Sequence, residues 1–419
     1  MTPAVTDSPG VLHEAHAALH GRGTELTALC VFAFLTLCSY EVARPAIESL
    51  FLARYGQAGL PWVWLSVAVA AVIVVAIYNR LAVTLPVLTL FVGASAVSVG
   101  TLVVLLTLEL SGVSWAPFAL YILKDLYVVV LVESFWSMAN LHFSTATARW
   151  TYGLFCAAGS LGAVAGGLAV GVLAARVGSA HSLWLVAALV TVVGLGATLL
   201  GKSLREVPPP KALRPTLRAA ARSLAASDYL GLMVLLITCT QLTITLIDYE
   251  FNGAVAVAFP DVDARTRVIG YIYSTIAGTA FLLQLSTGFV LRKAGVGRTL
   301  VTLPLLLMCG VALFLVAPVF ALVAVAKVAS KTFDYSLFRA AKEMLYIPLG
   351  YREKTEGKAV VDMLTYRVAK GGVSLLLLGL AALGVLVSIP LLTIGIILAW
   401  VVVVLAITRR YAARVKAVG

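Results

Sequence analysis

The sequence is short of charge. Asp, Glu, Lys and Arg make up 12% of its 419 residues, against roughly 25% in an ordinary globular domain. With a hydrophobic share of 61%, that shortage excludes a typical water-soluble fold. Apolar runs of roughly 18 or more residues place the chain in the membrane class instead. Cysteine is scarce as well. Cys30, Cys38, Cys156, Cys239 and Cys309 lie in apolar segments, and no two form a CxxC pair. Neither a disulfide framework nor a thiolate metal site is expected. Hydrolytic motifs are missing: there is no acid–base pair, zinc-ligand spacing or nucleophile elbow. Gly350 to Lys358 has the wrong glycine spacing for a phosphate loop, with Ala359 where Ser or Thr is needed. No enzyme activity and no cofactor are expected. His13, His16 and His20 read as part of a solvated tail over residues 1–24, which carries Asp7 and Glu14 and lacks the basic start of a cleavable signal peptide.

What is present is a series of apolar segments, at 27–50, 60–80, 84–107, 116–140, 150–175, 182–201, 228–253, 266–291, 299–317, 320–341, 357–386 and 388–408. Basic residues favour one side of them. Lys202, Arg205, Lys211, Arg214, Arg218 and Arg222 fill the central loop. Arg292, Lys293 and Arg298 follow the eighth segment, and Arg409, Arg410, Arg414 and Lys416 end the chain. The opposite side has only Arg54, Arg176, Arg265 and Arg267. The positive-inside rule puts both termini in the cytosol, and the net charge of +12 then needs no nucleic-acid partner. The stretch 203–226, with Pro208, Pro209 and Pro210, reads as a basic cytosolic linker between six-helix bundles at 25–202 and 227–408, followed by a basic tail at 409–419. The expected fold is an all-α integral membrane protein of twelve transmembrane helices in the major facilitator architecture, in which the first, fourth, seventh and tenth helices line a central cavity.

The charges inside apolar segments gather on those helices and one more. The first carries Glu41, Arg44 and Glu48; the fourth Lys124, Asp125 and Glu133; the seventh Asp248 and Glu250. The tenth carries Lys327, Lys331 and Asp334, and the eleventh Arg367 and Lys370. A charge at bilayer depth costs about 2.5–3.5 kcal/mol on insertion scales, so each needs a partner, a wet cavity or a role. Glu41, Arg44 and Glu48 share one helix face by their spacing, beside Pro45, which should bend the helix. They read either as an ion triad that fixes packing or as an Arg44 fork offered to an anion. Lys124 and Asp125 are adjacent and should find their partners elsewhere. Asp248 and Glu250 read as proton carriers, counter-ions or plain salt-bridge partners. Lys327, Lys331 and Asp334 share a face that Phe338 and Lys342 should continue. Two lysines one turn apart repel, and either a facing Asp248 or Glu48 or a bound polyanion relieves them. Bases concentrate on the tenth and eleventh segments and acids on the first, fourth and seventh, so the path is polarised and its internal pairs compete with an anionic guest. Gly162, Gly166, Gly167 and Gly171 form overlapping GxxxG patterns in the fifth segment, with Gly371 and Gly372 in the matching eleventh; close helix packing is the expected use.

The tenth segment and its continuation carry a specific pattern. Lys331, Tyr335-Ser336-Leu337-Phe338 and Lys342-Glu343-Met344-Leu345-Tyr346-Ile347-Pro348-Leu349 are followed by Gly357-Lys358-Ala359-Val360-Val361-Asp362 and Arg367-Val368-Ala369-Lys370-Gly371-Gly372. This run resembles the ATP/ADP translocase family of plastids and obligate intracellular bacteria. Phe135-Trp136, Ala139-Asn140, Arg149 and Phe155 are similar to its fourth and fifth helices, and Arg44 and Leu50 to its first. The resemblance implies a secondary transporter in a bacterial cytoplasmic membrane with an anionic, nucleotide-like substrate. Arg44, Lys124, Lys327, Lys331, Arg367 and Lys370 would hold the anion, with Arg339, Lys342 and Lys358 at the cytosolic mouth. Glu41, Glu48, Glu133, Asp248, Glu250, Asp334 and Asp362 would pair with these bases between states, and Tyr40, Tyr249 or Tyr335 would stack a base. The sequence departs from the family at three positions: a helix-one lysine is Ile47, a helix-four glutamate is Lys124, and a helix-seven glutamate is Asp248. The cargo therefore stays open between a nucleotide or related phosphorylated anion, a phospholipid-like amphiphile, and a proton-coupled export substrate. A membrane partner or sensor without transport is the remaining alternative. Expected partners are the bilayer and a small anion, with the chain itself a monomer.

Overall fold

The computed structural model describes residues 23–143, 145–200, 227–349, 365–384 and 389–418, and no strand occurs among them. A chain this apolar must satisfy its backbone hydrogen bonds internally, which a helix does within each segment. The helices are α1 (Gly23–Tyr55), α2 (Leu60–Thr84), α3 (Val87–Leu110), α4 (Ala116–His142), α5 (Thr145–Val177) and α6 (Ser179–Leu200). Beyond residues 201–226, which include the expected linker and lie outside the described residues, come α7 (Asp228–Ala258), α8 (Val262–Val316), α9 (Phe320–Phe333), α10 (Arg339–Met344), α11 (Thr365–Ala382) and α12 (Ile389–Val418).

Proline and glycine set the breaks. Pro61 lies in the first turn of α2, where its missing N–H is harmless. Leu85 is extended ahead of Pro86 and parts α2 from α3. Gly295, at φ +78°, interrupts α8 in a left-handed conformation that suits glycine. It falls between the expected eighth and ninth segments, which otherwise form one stretch of 55 residues. Such a stretch is far longer than the roughly 30 Å hydrocarbon core requires. The expected tenth segment is divided too: α9 runs through a π-helical turn, Asp334–Phe338, into α10. That turn shifts the local register, yet Asp334, Phe338 and Lys342 still border one space, and buried Phe338 also meets Trp400 edge-on at 5.6 Å. Among the described residues, eight helical stretches are long and apolar enough to cross a membrane. The charged α4, and α9 to α11, fall outside that set.

The glycines of α5 pack as expected. A Cβ at Gly162 or Gly166 would collide with the Phe34 or Cys38 carbonyl of α1. On the adjacent face, one at Gly167 would meet the Gly270 carbonyl of α8 at 2.7 Å, and Ser274 donates to the Val164 carbonyl at 2.9 Å. Helix α5 is thus wedged between α1 and α8. Among the described residues the matching pair in α11 does not do this: a Cβ at Gly372 meets nothing within 4 Å and one at Gly371 only reaches Ala68 at 4.0 Å. One apolar core joins α1–α6 to parts of α7 and α8 through Phe51, Trp64, Leu246 and Tyr273. A second, around Tyr229, Leu300 and Trp400, joins α7, α8, α9, α10 and α12. Large apolar side chains such as Val97, Leu199, Leu285 and Val402 point outward, as a surface facing lipid tails allows.

Candidate functional site

The intramembrane charges of α1, α4, α7 and α9 come together, with an aromatic ring of α8 between them. On α1 the spacing read from the sequence holds. Arg44 Nη1 lies 3.7 Å from Glu41 Oε1, and Arg44 Nε lies 3.3 Å from Glu48 Oε1. Pro45, at the centre of this triad, has no N–H to bond one turn back. Lys124 of α4 reaches Glu48 at 3.6 Å. Contrary to the expectation for adjacent residues, it also folds onto Asp125 at 2.9 Å, because four methylenes let the ammonium turn back along its own helix. Its Nζ sits 3.7 Å from the centroid of Tyr121. Across the molecule, Asp248 of α7 holds both lysines of α9, Lys327 at 2.5 Å and Lys331 at 3.4 Å. The facing carboxylate that two lysines one turn apart require is therefore Asp248.

Tyr273 of α8 joins the two groups, and sequence reasoning missed it. Its hydroxyl donates to Glu48 Oε2 at 2.9 Å, and its ring lies 3.8 Å from the Arg44 guanidinium and 5.4 Å from Lys327 Nζ. A tyrosine in an apolar run gives no signal of its own; only the fold puts it beside charges. Lys124 and Lys327 are almost fully buried, 2% and 1% exposed. Removing either partner of such a pair leaves an uncompensated charge, at a cost of about 3–5 kcal/mol.

Two cavities adjoin this cluster. The central one holds about 360 Å³ and is bordered by Glu41, Arg44, Lys331 and Arg339, with Phe135, Trp136, Phe155, Tyr273 and Tyr335 as aromatic wall. The second, about 380 Å³, is bordered by Thr240, Gln241, Asp334, Arg339, Lys342 and Glu343, and shares Tyr335 and Arg339 with the first. Tyr335, Arg339 and Cys156 are exposed, so the space opens at this end. Two expected members do not join. Glu133 is exposed and borders neither cavity. Glu250 points into a separate small void with Ile247, Gly310, Val323 and Pro390. Of the stacking candidates, Tyr335 borders the space, Tyr40 lies 5.8 Å from Arg44, and Tyr249 turns away toward Trp64. Lys358, Asp362 and the side chains of Arg149, Arg367 and Lys370 lie outside the described residues.

At the opposite end α1–α6 and α7–α12 are tied together. Arg265 of α8 is buried and donates to the Ser49 carbonyl of α1 at 2.9 Å. Asp263 accepts from the Ser179 amide at 2.7 Å and its hydroxyl at 2.6 Å, at the start of α6. Gln57 donates to the Tyr249 carbonyl at 3.0 Å.

Comparison with known proteins agrees with this arrangement. A sequence profile described as TLC ATP/ADP transporter matches residues 205–322 and 317–411. ADP,ATP carrier protein 1 of Chlamydia muridarum (strain MoPn / Nigg) is 25% identical over 311 residues, which cover 64% of this chain and 59% of the carrier. The chain is a divergent member of the ATP/ADP transporter family. A plant member of the family, ADP,ATP carrier protein 2, chloroplastic, of Arabidopsis thaliana, is 28% identical over 62% of this chain and 48% of its own. The matched region thus spans about three-fifths or less of these curated relatives, which are carriers rather than enzymes. Among solved structures, the nucleoside transporter NupG overlays with a TM-score of 0.69 at 13% identity, covering 91% of this chain and 98% of its own. That likeness gives this family member a major facilitator-like transporter fold.

Proposed function

We propose that this protein is a secondary transporter that moves a nucleotide or a related phosphorylated anion across a bacterial cytoplasmic membrane by alternating access. The observation that carries the reading is the central cavity. It lies between α1–α6 and α7–α12, Arg44, Lys331 and Arg339 border it, and it opens beside exposed Tyr335 and Arg339. The ties through Arg265, Asp263 and Gln57 close the opposite end. A cationic pocket walled by aromatic side chains offers an anion its counter-charge and a base its stacking face.

In this reading the chain makes twelve passes. Gly295 divides α8 into two of them, and α9, the π turn and α10 together form one. The open end faces the cytosol along with both termini, as the basic residues around the linker and tail favour. Asp248 releases Lys331 to the guest, and Glu41 and Glu48 hold Arg44 until the guest replaces them. The relatives, named as ADP,ATP carriers, support a nucleotide here, and the fold of a nucleoside transporter supports the class. The test is uptake of radiolabelled nucleotides into proteoliposomes, with and without nucleotide inside. Uptake abolished by Arg44→Gln is expected; no uptake of any nucleotide under either condition sinks the proposal.

A further inference from the structure

Resting on the nucleotide reading above, we infer that Glu41 binds a proton when an anionic guest takes Arg44, so that the anion travels together with that proton. Glu41 borders the central cavity and is 8% exposed. Its Oε1 lies 3.7 Å from Arg44 Nη1, longer than a hydrogen bond. Its Oε2 is buried and has no hydrogen-bond partner among the described residues. Glu48 is held three ways: Arg44 Nε donates to its Oε1 at 3.3 Å, the Tyr273 hydroxyl donates to its Oε2 at 2.9 Å, and Lys124 lies at 3.6 Å. Among the described residues, Glu41 is thus the carboxylate that depends on Arg44 alone. The other charges around it are engaged. Lys124 of α4 sits on Asp125 at 2.9 Å, and Asp248 of α7 holds Lys327 and Lys331 of α9 at 2.5 and 3.4 Å. Of the phenols, Tyr127 of α4 shares a hydrogen bond with Ser39 at 3.4 Å, Tyr273 of α8 is committed to Glu48, and Tyr40 lies 5.8 Å from Arg44. Cys156 of α5, Tyr335 and Arg339 border the same space toward its open end, and α6 has His181 in its first turn, at the closed end.

A phosphate oxygen pair fits the guanidinium fork better than a single carboxylate oxygen at 3.7 Å does. Binding therefore draws Arg44 off Glu41 and sets a second negative group beside it. Left ionised, Glu41 would be a buried carboxylate with an unpartnered oxygen next to a like charge, and both conditions penalise the charged form. One proton removes both penalties. Glu48 escapes this fate because the Tyr273 hydroxyl and Lys124 stay with it when Arg44 turns away. The carboxylate becomes a carboxylic acid, its proton drawn from water at the open end, and it gives that proton up when the guest leaves and Arg44 returns. The linkage is reciprocal: the anion favours the proton and the proton favours the anion.

The experiment titrates the full chain in detergent with adenosine triphosphate by calorimetry at neutral pH, in two buffers of different ionisation enthalpy. The difference between the buffers gives the protons taken up per nucleotide bound. The terminal phosphate of the nucleotide titrates in the same range, so Glu41→Gln serves as the reference. Wild type should take up about one proton more per bound nucleotide than the Gln variant. An equal count shows that Glu41 keeps a counter-charge throughout, which overturns the inference and leaves nucleotide binding standing. Should the Gln variant bind too weakly to titrate, wild type in nucleotide-free proteoliposomes decides. An imposed inward proton gradient should raise uptake of radiolabelled adenosine triphosphate, and a protonophore should return it to the level without a gradient. Uptake indifferent to the gradient overturns the inference alone; neither binding nor uptake overturns the nucleotide reading with it.

Discussion

Tyr273 of α8 donates its hydroxyl to Glu48 of α1 at 2.9 Å while its ring lies 3.8 Å from the Arg44 guanidinium. One side chain therefore holds both members of the Arg44–Glu48 pair, from the other side of the cavity. The two contributions separate by substitution. Tyr273→Phe keeps the ring and loses a hydrogen bond to a charged group, about 1.5–3 kcal/mol. Tyr273→Leu also loses the cation–π contact, about a further 0.5–2 kcal/mol. Thermal unfolding in detergent should rank wild type above the Phe variant and the Phe variant above Leu. A Phe variant as stable as wild type means that Glu48 is satisfied without the hydroxyl.

Asp248 is shared by two lysines, one nearly dry. Asp248→Asn removes the counter-charge of both Lys327 and Lys331 and should cost about 3–5 kcal/mol of stability. Adding Lys327→Met removes the stranded buried charge, and the double variant should recover more than half of the loss. If the two losses add instead, Lys327 is stabilised by something other than Asp248.

Much of this arrangement was legible in the sequence. Charges inside apolar runs are costly enough to be rare, so Glu41, Arg44, Glu48, Lys124, Asp248, Lys327 and Lys331 stood out, and all of them converge. Spacing gave the α1 triad because it is local to one helix. What failed was what spacing cannot carry. The reach of a flexible lysine back to Asp125 depends on its rotamer. The π turn at Asp334–Phe338 leaves no mark in composition, so the division of the tenth segment was not foreseen. Tyr273 depends on which helix lies opposite, and Glu250 on which way α7 is turned about its axis. The glycines of α5 were read correctly because only very small residues permit such contact. The same pattern finds no such contact at Gly372, where none of the described residues approaches within 4 Å.

That contrast is itself measurable. Gly166→Ala places a methyl group against the Cys38 carbonyl, and two helices must separate to admit it. Gly372→Ala meets nothing within 4 Å and replaces glycine in a helix, a gain of up to about 1 kcal/mol. The first variant should lower the thermal midpoint and the yield of monodisperse protein; the second should leave both unchanged or improved. Equal behaviour of the two removes the case for a glycine-built α1–α5 seam.

The ties at the closed end must break if the chain works by alternating access, and this gives the most direct test of the cycle. Gly253 packs against the Gln57 carboxamide, so Gln57→Cys with Gly253→Cys places two thiols across the closed end. Oxidation should cross-link them, halt uptake, and be reversed by reductant, because the space could then open only beside Tyr335 and Arg339. Arg265 controls how long that end stays shut: its guanidinium reaches the Ser49 carbonyl at 2.9 Å and the Phe259 carbonyl at 3.4 Å. The shorter, neutral side chain of Arg265→Gln lacks that two-ended fork. In the Arg265→Gln background the cross-link should form more slowly, since the two thiols spend less time together. A cross-linked protein that transports at the unlinked rate would show that opening at this end is not part of the cycle.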